Sequence, residues 1–383
     1  MAVPLLDLQA EFATIEAEVR RQIDEVLATQ RFILGPKLAE LEERIAEYCE
    51  VPHAIGVASG SDALLISLMA IDLKPGECVI TSAYSFFASC GCISRLGGIP
   101  LFCDISLDTY NIDPERVREL IETECEMSEE GLRHRPSGGL VRAIIPVHLY
   151  GQCADMTAIC DIAERCGLVV IEDAAQAIGA RHKGKPACSF GQLGCLSFFP
   201  SKNLGSYGDG GMVTTQSADL AEKIRKLRLH GSSPKYYHAL IGLSSRLDAM
   251  QAAVLLAKFP HLERWHEMRR ANAAYYDEAL AGVGDLVTPT IAPENVSVYN
   301  QYILRSARRD ELLAHLKEKE IGAMVYYPHP LHLQECYADL GYRPGDMPNA
   351  ERAAKENISI PVYPELRPEQ REEVRAAIAD FFA

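Results

Sequence analysis

The apolar runs HAIGV, CVIT, IPLFCD, RAIIPV and LVVIED recur at intervals that leave room for a helix between successive runs. Runs that are apolar on both faces and separated by helices make a largely parallel sheet covered on both sides. GCLSFF and GGMVTT extend this region as further strands, joined by the polar turn PSKNLGSYGDG. Ahead of the sheet, Phe12, Ile15, Val19, Ile23 and Val26 recur at helical spacing. Leu38, Leu41, Ile45 and Tyr48 do the same after the turn at Gly35-Pro36.

A chain of 383 residues is long for one core, and two associated domains are expected. The composition shifts near Arg246, where a long helical stretch begins that Pro260 must interrupt. Beyond it the pattern predicts a strand over 298–305, a helix over 310–320, the loop YYPHPLHL, and helices from Pro348 and Pro368. The expected division is a large α/β domain over 1–250 and a smaller α+β domain over 251–383. The segment from Gly131 to Gly139, GLRHRPSGG, reads as a mobile surface loop.

Several function classes drop out. A net charge of −15 disfavours nucleic acid as a partner, since phosphates need a basic face. No apolar run approaches the roughly 20 residues of a membrane helix. The acidic, amphipathic start reads as part of the fold and not as a secretory signal. The 12 cysteines include no CxxC, and most lie beside apolar residues, so reduced thiols, a cytoplasmic location and no metal site are expected. There is no P-loop, and the glycines at 205, 208 and 210 run opposite to the dinucleotide order.

Four features instead fit one cofactor. Asp173 ends the run LVVIED, where open α/β sheets bind ligands. A carboxylate there either caps a following helix or pairs with a cation such as a pyridinium nitrogen, which is how pyridoxal phosphate is kept an electron sink. Lys202, in FFPSKNLG, is either a solvated surface group or an amine desolvated by Phe198, Phe199 and Pro200 into a nucleophile. Gly60 and Ser61, between a strand and a helix, either belong to an ordinary N-cap or cradle a phosphate. Phe86 is either a core residue or a ring that stacks on the cofactor.

In this order the motifs resemble those of the DegT/DnrJ/EryC1/StrS aminotransferases. The likeness runs through PLLDLQ, RFILGP, SGSDAL, DTYNIDP, PVHLYGQCADM, IEDAAQ, FFPSKNLGSYGDGGM, SRLDAMQAAVL and YYPHPLHLQ. The resemblance implies the aspartate aminotransferase fold, pyridoxal 5'-phosphate as cofactor and a homodimer with its active site at the subunit interface. It implies Lys202 as the Schiff-base lysine and proton shuttle, Asp173 as the partner of the pyridinium nitrogen and Gln176 as donor to the phenolic oxygen. Gly60, Ser61 and Ser197 take the phosphate by the same likeness, and Phe86 stacks on the ring. GLSSRLD is similar to the segment that reaches the neighbour's phosphate, with Ser244 where the family usually has Asn.

PSKNLGSYGDGG resembles the branch that aminates C3 of a UDP- or dTDP-linked keto sugar with L-glutamate as donor. His148, Tyr150, Arg246, Tyr327 and His329 are candidate substrate contacts. A sugar dehydratase on the same fold is a rival, disfavoured by Lys202, since in one branch a histidine stands there. A non-catalytic sugar-nucleotide-binding regulator is a second rival, disfavoured because Lys202, Asp173 and the phosphate loop are all present.

Overall fold

The computed structural model describes residues 3–383. Its main sheet has seven strands, β1 His53–Val57, β2 Cys78–Ser82, β3 Ile99–Cys103, β4 Val141–Ile145, β5 Val169–Asp173, β6 Leu193–Ser197 and β7 Gly211–Thr215. Across the sheet they lie in the order β1-β7-β6-β5-β4-β2-β3. Pairing is parallel from β6 to β3, and β7 runs antiparallel to both its neighbours. All strands but β7 therefore point their carboxyl ends to the same edge.

The period of two explains the continuous apolar runs. Val79, Ile145 and Ile171 face one side and pack with Leu64, Ile66 and Leu68 of a helix over Gly60–Ala70. Their neighbours Ile80, Ile144 and Val170 face the other, against Met156, Ile159 and Ala163. Ahead of the sheet, the helix Leu8–Thr29 buries Ile15, Val19 and Val26, while Phe12 and Ile23 flank the contact half-buried. Asp7 caps it by accepting from Gln9 and Ala10 N–H.

Pro260 interrupts the long helical stretch as expected: Ala249–Lys258 and Leu262–Ala279 are joined by a 3-10 turn over Phe259–His261. The C-terminal region builds its own core on Tyr302–Arg305 paired antiparallel with Asn357–Ile360. Tyr302, Leu304, Leu312, Leu316, Ile358, Val374 and Ile378 fill it. Val3 joins the same core and bridges to Ile321, so the start of the chain packs with its end.

Two expectations are corrected. The strand expected over 298–305 begins only at Tyr302, because the chain at Tyr299 takes a positive φ of 42° that breaks the extended run. The segment 131–139 is no loose loop. Gly131–His134 pairs with Cys125–Ser128 as a hairpin, with Leu132 and His134 turned inward. Arg135 closes the hairpin's base on the carbonyls of Thr123 and Cys125. All the cysteines are free thiols, and burial pushes those of Cys90 and Cys92 up to about 12, which makes them inert. Among the described residues no helix is long and apolar enough to cross a membrane.

Candidate active site

The carboxyl-end edge gathers the turns after β1, β2, β4, β5 and β6. Asp173, the last residue of β5, is 4 % exposed. Its Oδ2 accepts from Ser89 Oγ at 2.7 Å, and its Oδ1 accepts from Ala175 N–H at 3.1 Å. No helix follows it, so the capping alternative falls away. Two neutral donors fix the carboxylate in place without supplying a counter-charge, which leaves a buried anion able to hold a cation.

Lys202 follows β6 in a turn closed by its own N–H on Phe199 O at 2.8 Å. The side chain is half-buried. Burial lowers its ammonium from the ordinary lysine value to about 8, while the charge of Asp173 pulls the other way. About a tenth of such an amine is neutral at pH 7, against well under a thousandth of an ordinary lysine, and the neutral form is what a nucleophile or base requires.

The turn between β1 and the helix Gly60–Ala70 is an anion cradle. Ser59 caps the helix by accepting from Asp62 N–H at 3.1 Å, so the first N–H groups, at Gly60 and Ser61, lie ahead of the intrahelical ladder. Ser61 is exposed. The backbone is seated tightly. A Cβ on Gly60 would stand 2.6 Å from Ser197 Cβ, and one on Gly211 would stand 2.3 Å from Ser59 C and O. Ser197 thus abuts the cradle, its Oγ accepting from Phe199 N–H at 3.3 Å.

Gln176 and the aromatic residues close the third side. Gln176 Oε1 accepts from Tyr150 N–H at 2.7 Å, and its Nε2 donates to Tyr327 Oη at 3.1 Å. One amide hydrogen stays available. The Phe86 ring is 56 % exposed and lies 6.0 Å from that of Tyr327, so it is not a core residue. Tyr84 Oη accepts from Tyr327 N–H at 2.7 Å and from Asn357 Nδ2 at 2.6 Å, which latches the C-terminal region onto the end of β2. Tyr150 Oη donates to the carbonyl of Tyr326.

The other residues singled out from sequence sit differently. His148 is fully buried behind the edge. Its Nε2 bonds Glu172 at 3.0 Å and its Nδ1 accepts from Ala154 N–H at 3.2 Å, which leaves no ring nitrogen for a ligand. His329 is exposed and its Nε2 bonds Leu333 O at 2.7 Å. Arg246 Nη2 donates to the exposed Ser244 Oγ at 2.8 Å. No hydrogen bond or ion pair among the described residues ties Ser244, Arg246 or His329 to Lys202 or Asp173.

Three supporting residues escaped the sequence reading. Ser89 anchors Asp173. Glu172, fully buried, accepts from the N–H groups of Cys188, Phe190 and Gly191 at 2.7–2.9 Å as well as from His148. A carboxylate inside a buried strand demands such partners, and this demand was the available signal. Ser245 Oγ donates to Asp62 Oδ2 at 2.6 Å and accepts from Ala58 N–H at 3.1 Å, fastening GLSSRLD to the cradle of its own chain.

The DegT/DnrJ/EryC1/StrS aminotransferase family model matches residues 13–379. The chain belongs to this family. Its relatives include a pleiotropic regulatory protein of Geobacillus stearothermophilus, 51% identical over 100% of this chain and 99% of that one. The UDP-2-acetamido-2-deoxy-3-oxo-D-glucuronate aminotransferase of Pseudomonas aeruginosa is 40% identical over 95% of this chain and 96% of its own. Among solved structures of the family, Streptomyces venezuelae DesV in complex with a ketimine intermediate superposes with a TM-score of 0.92. It is 39% identical, over 99% of this chain and 98% of that one. The family fold is thus the mostly parallel sheet described above, with helices on both faces.

Proposed function

We propose that this chain is a pyridoxal 5'-phosphate-dependent transaminase that places an amino group on C3 of a UDP- or dTDP-linked keto sugar, with L-glutamate as donor. One observation carries the reading: a half-buried amine, Lys202, lies in the field of the buried carboxylate Asp173, at the sheet edge that also carries the anion cradle. The names of the Pseudomonas relative and of the dTDP-3-amino-3,4,6-trideoxy-alpha-D-glucose transaminase of S. venezuelae, 39% identical, support the substrate class.

The residues present fit the cofactor, since glycine at 60 and 211 leaves the cradle open and Asp173, bonded to two neutral donors, makes no ion pair among the described residues. When bound, pyridoxal 5'-phosphate supplies the electron sink for charge that develops on the carbon bearing the amine. Gly60 and Ser61 N–H, with the hydroxyls of Ser61 and Ser197, would hold the phosphate. Asp173 would keep the ring nitrogen protonated. Phe86 would stack on the ring, and the free amide hydrogen of Gln176 would donate to the phenolic oxygen. Lys202 Nζ would take the proton from the donor's α-carbon and deliver it to the cofactor carbon that keeps the amine, and would move a proton in the opposite sense on the sugar side. Tyr150 and Tyr327 line the substrate's approach.

In this reading residues 1–250 form the cofactor-binding domain and 251–383 the smaller domain that covers it. The chain works as a homodimer in which Gly242–Asp248, with Ser244 and Arg246, completes the neighbour's site. Exposed Tyr236, Tyr237 and Ile241, just ahead of that segment in the chain, support a protein contact there. The Geobacillus relative's name favours a second reading, a regulator that binds sugar nucleotides without turnover.

The purified protein is expected to absorb in the visible, as a lysine-bound pyridoxal phosphate does. L-glutamate should bleach that band, and a 3-keto nucleotide sugar should restore it with formation of the 3-amino sugar, read by mass spectrometry and NMR. A protein that binds the sugar nucleotide but shows no band, or a band that glutamate leaves unchanged, would be the regulator. Gly211→Ala, whose new methyl presses on Ser59, should weaken cofactor binding by roughly 10- to 100-fold. Titration of the apoprotein with pyridoxal phosphate measures it.

A further inference from the structure

A small cavity of about 50 Å³ opens beside the Lys202 turn, with Ser201, Arg269, Asn300, Gln301 and Tyr326 in its wall. Arg269, on the helix Leu262–Ala279, is 5 % exposed. Its Nη1 donates to the carbonyls of Tyr299 at 3.1 Å and Asn300 at 3.5 Å, and its buried Nε has no partner among the described residues. Glu11 and Glu365 act on it only through space, and Glu11 is committed to Lys258 at 2.6 Å. No carboxylate of the described residues lies within the 4.0 Å of an ion pair. Burial lowers the guanidinium to about 10. A buried cation without a counter-ion is costly, and an arriving carboxylate relieves that cost.

Two residues of the same wall carry buried acceptors that have no partner among the described residues, Asn300 Oδ1 and Gln301 Oε1. The first is fixed by its surroundings. Asn203 Nδ2 donates to Val298 O at 2.9 Å, so Asn203 Oδ1 accepts from Asn300 Nδ2 at 2.9 Å and leaves Asn300 Oδ1 free. Asn203 adjoins Lys202, so the wall is tied to the reactive turn. A cation beside acceptors complements a ligand that presents a carboxylate next to an ammonium. An α-amino acid is such a ligand, and the cavity suits a group of carboxylate size.

We propose that this cavity binds the amino donor, an α-amino acid, with its carboxylate on Arg269 and its ammonium beside Asn300 and Gln301 on the way to Lys202. The inference rests on the aminotransferase reading and adds the donor's recognition to it. Two half-reactions separate the two. In Arg269→Gln, KM for L-glutamate should rise roughly 10- to 100-fold, while cofactor binding and the sugar half-reaction stay near wild type. Arg269→Lys should recover only part, because an ammonium lacks the planar fork. Gln301→Glu leaves the carbonyl bonds of Arg269 intact and offers the guanidinium an internal carboxylate, so it should weaken the donor at least about tenfold without loss of stability. Calorimetry of the holoenzyme with glutarate, which carries carboxylates but cannot react, should show the same order of weakening. If glutarate binds all variants as it binds wild type, or if donor and sugar half-reactions fall together, the cavity holds only water and the proposal is wrong. If wild type itself fails to react with glutamate, the aminotransferase reading fails first.

Discussion

Lys202→Ala is expected to abolish covalent capture of the cofactor and to lower the rate of both half-reactions by at least about 10³-fold. General acid–base catalysis by a placed group contributes roughly 10²–10⁴, and in the proposed mechanism Lys202 is also the covalent anchor. The variant should still bind pyridoxal phosphate, since the cradle, Asp173 and Phe86 are untouched. Its absorption should then be that of the free aldehyde. Single-turnover absorbance with glutamate measures the loss, and a variant that keeps wild-type rates would remove Lys202 from the mechanism.

The same residue sets a pH signature. With its ammonium at about 8, capture of the cofactor by the apoprotein should speed up with pH and reach its midpoint near 8, not near 10.4. Stability follows the same sign. Below about 8 the amine is charged in both folded and unfolded chains, and the burial cost is fully present. Between about 8 and 10.4 the unfolded chain holds the extra proton, so apoprotein stability rises with pH. Urea midpoints should show that rise in wild type and a smaller one in Lys202→Ala.

How far the sequence led depends on the kind of signal. The sheet was readable because both faces are buried, which makes Val79 and Ile80, or Val170 and Ile171, apolar together. Motif order, and no single residue, is what singles out Lys202, Asp173 and Gln176 as a set. Contacts between distant residues left no trace. Nothing marks Ser89 as the support of Asp173, since 84 positions separate them. His148 was misjudged because a polar residue after a strand can turn into the layer behind the sheet as readily as toward the ligand, and the buried Glu172 draws it inward. The hairpin at 125–134 has too few alternating positions to register beside its charges. Arg269 resembled any arginine on a surface helix until the C-terminal region closed over it.

Asp173→Asn is expected to lower kcat by roughly 10²–10³ with the fold retained. The amide has nearly the same shape, and the hydroxyl of Ser89 can turn to accept where it now donates, so the local bonds survive. The charge does not. A buried carboxylate facing a cation is worth about 3–4 kcal/mol when one partner is removed, and this sets the range. Loss of packing alone would lower stability and cofactor affinity together. The electrostatic account requires more: the charge of Asp173 holds the ammonium of Lys202 up against its burial, so removing it must carry that group below about 8. The midpoint for cofactor capture should therefore move to lower pH in Asp173→Asn and stay in place in Gly211→Ala, although both bind the cofactor less well. A midpoint that does not move in Asp173→Asn would mean that the two side chains do not share a field, and the site would have to be built on other residues.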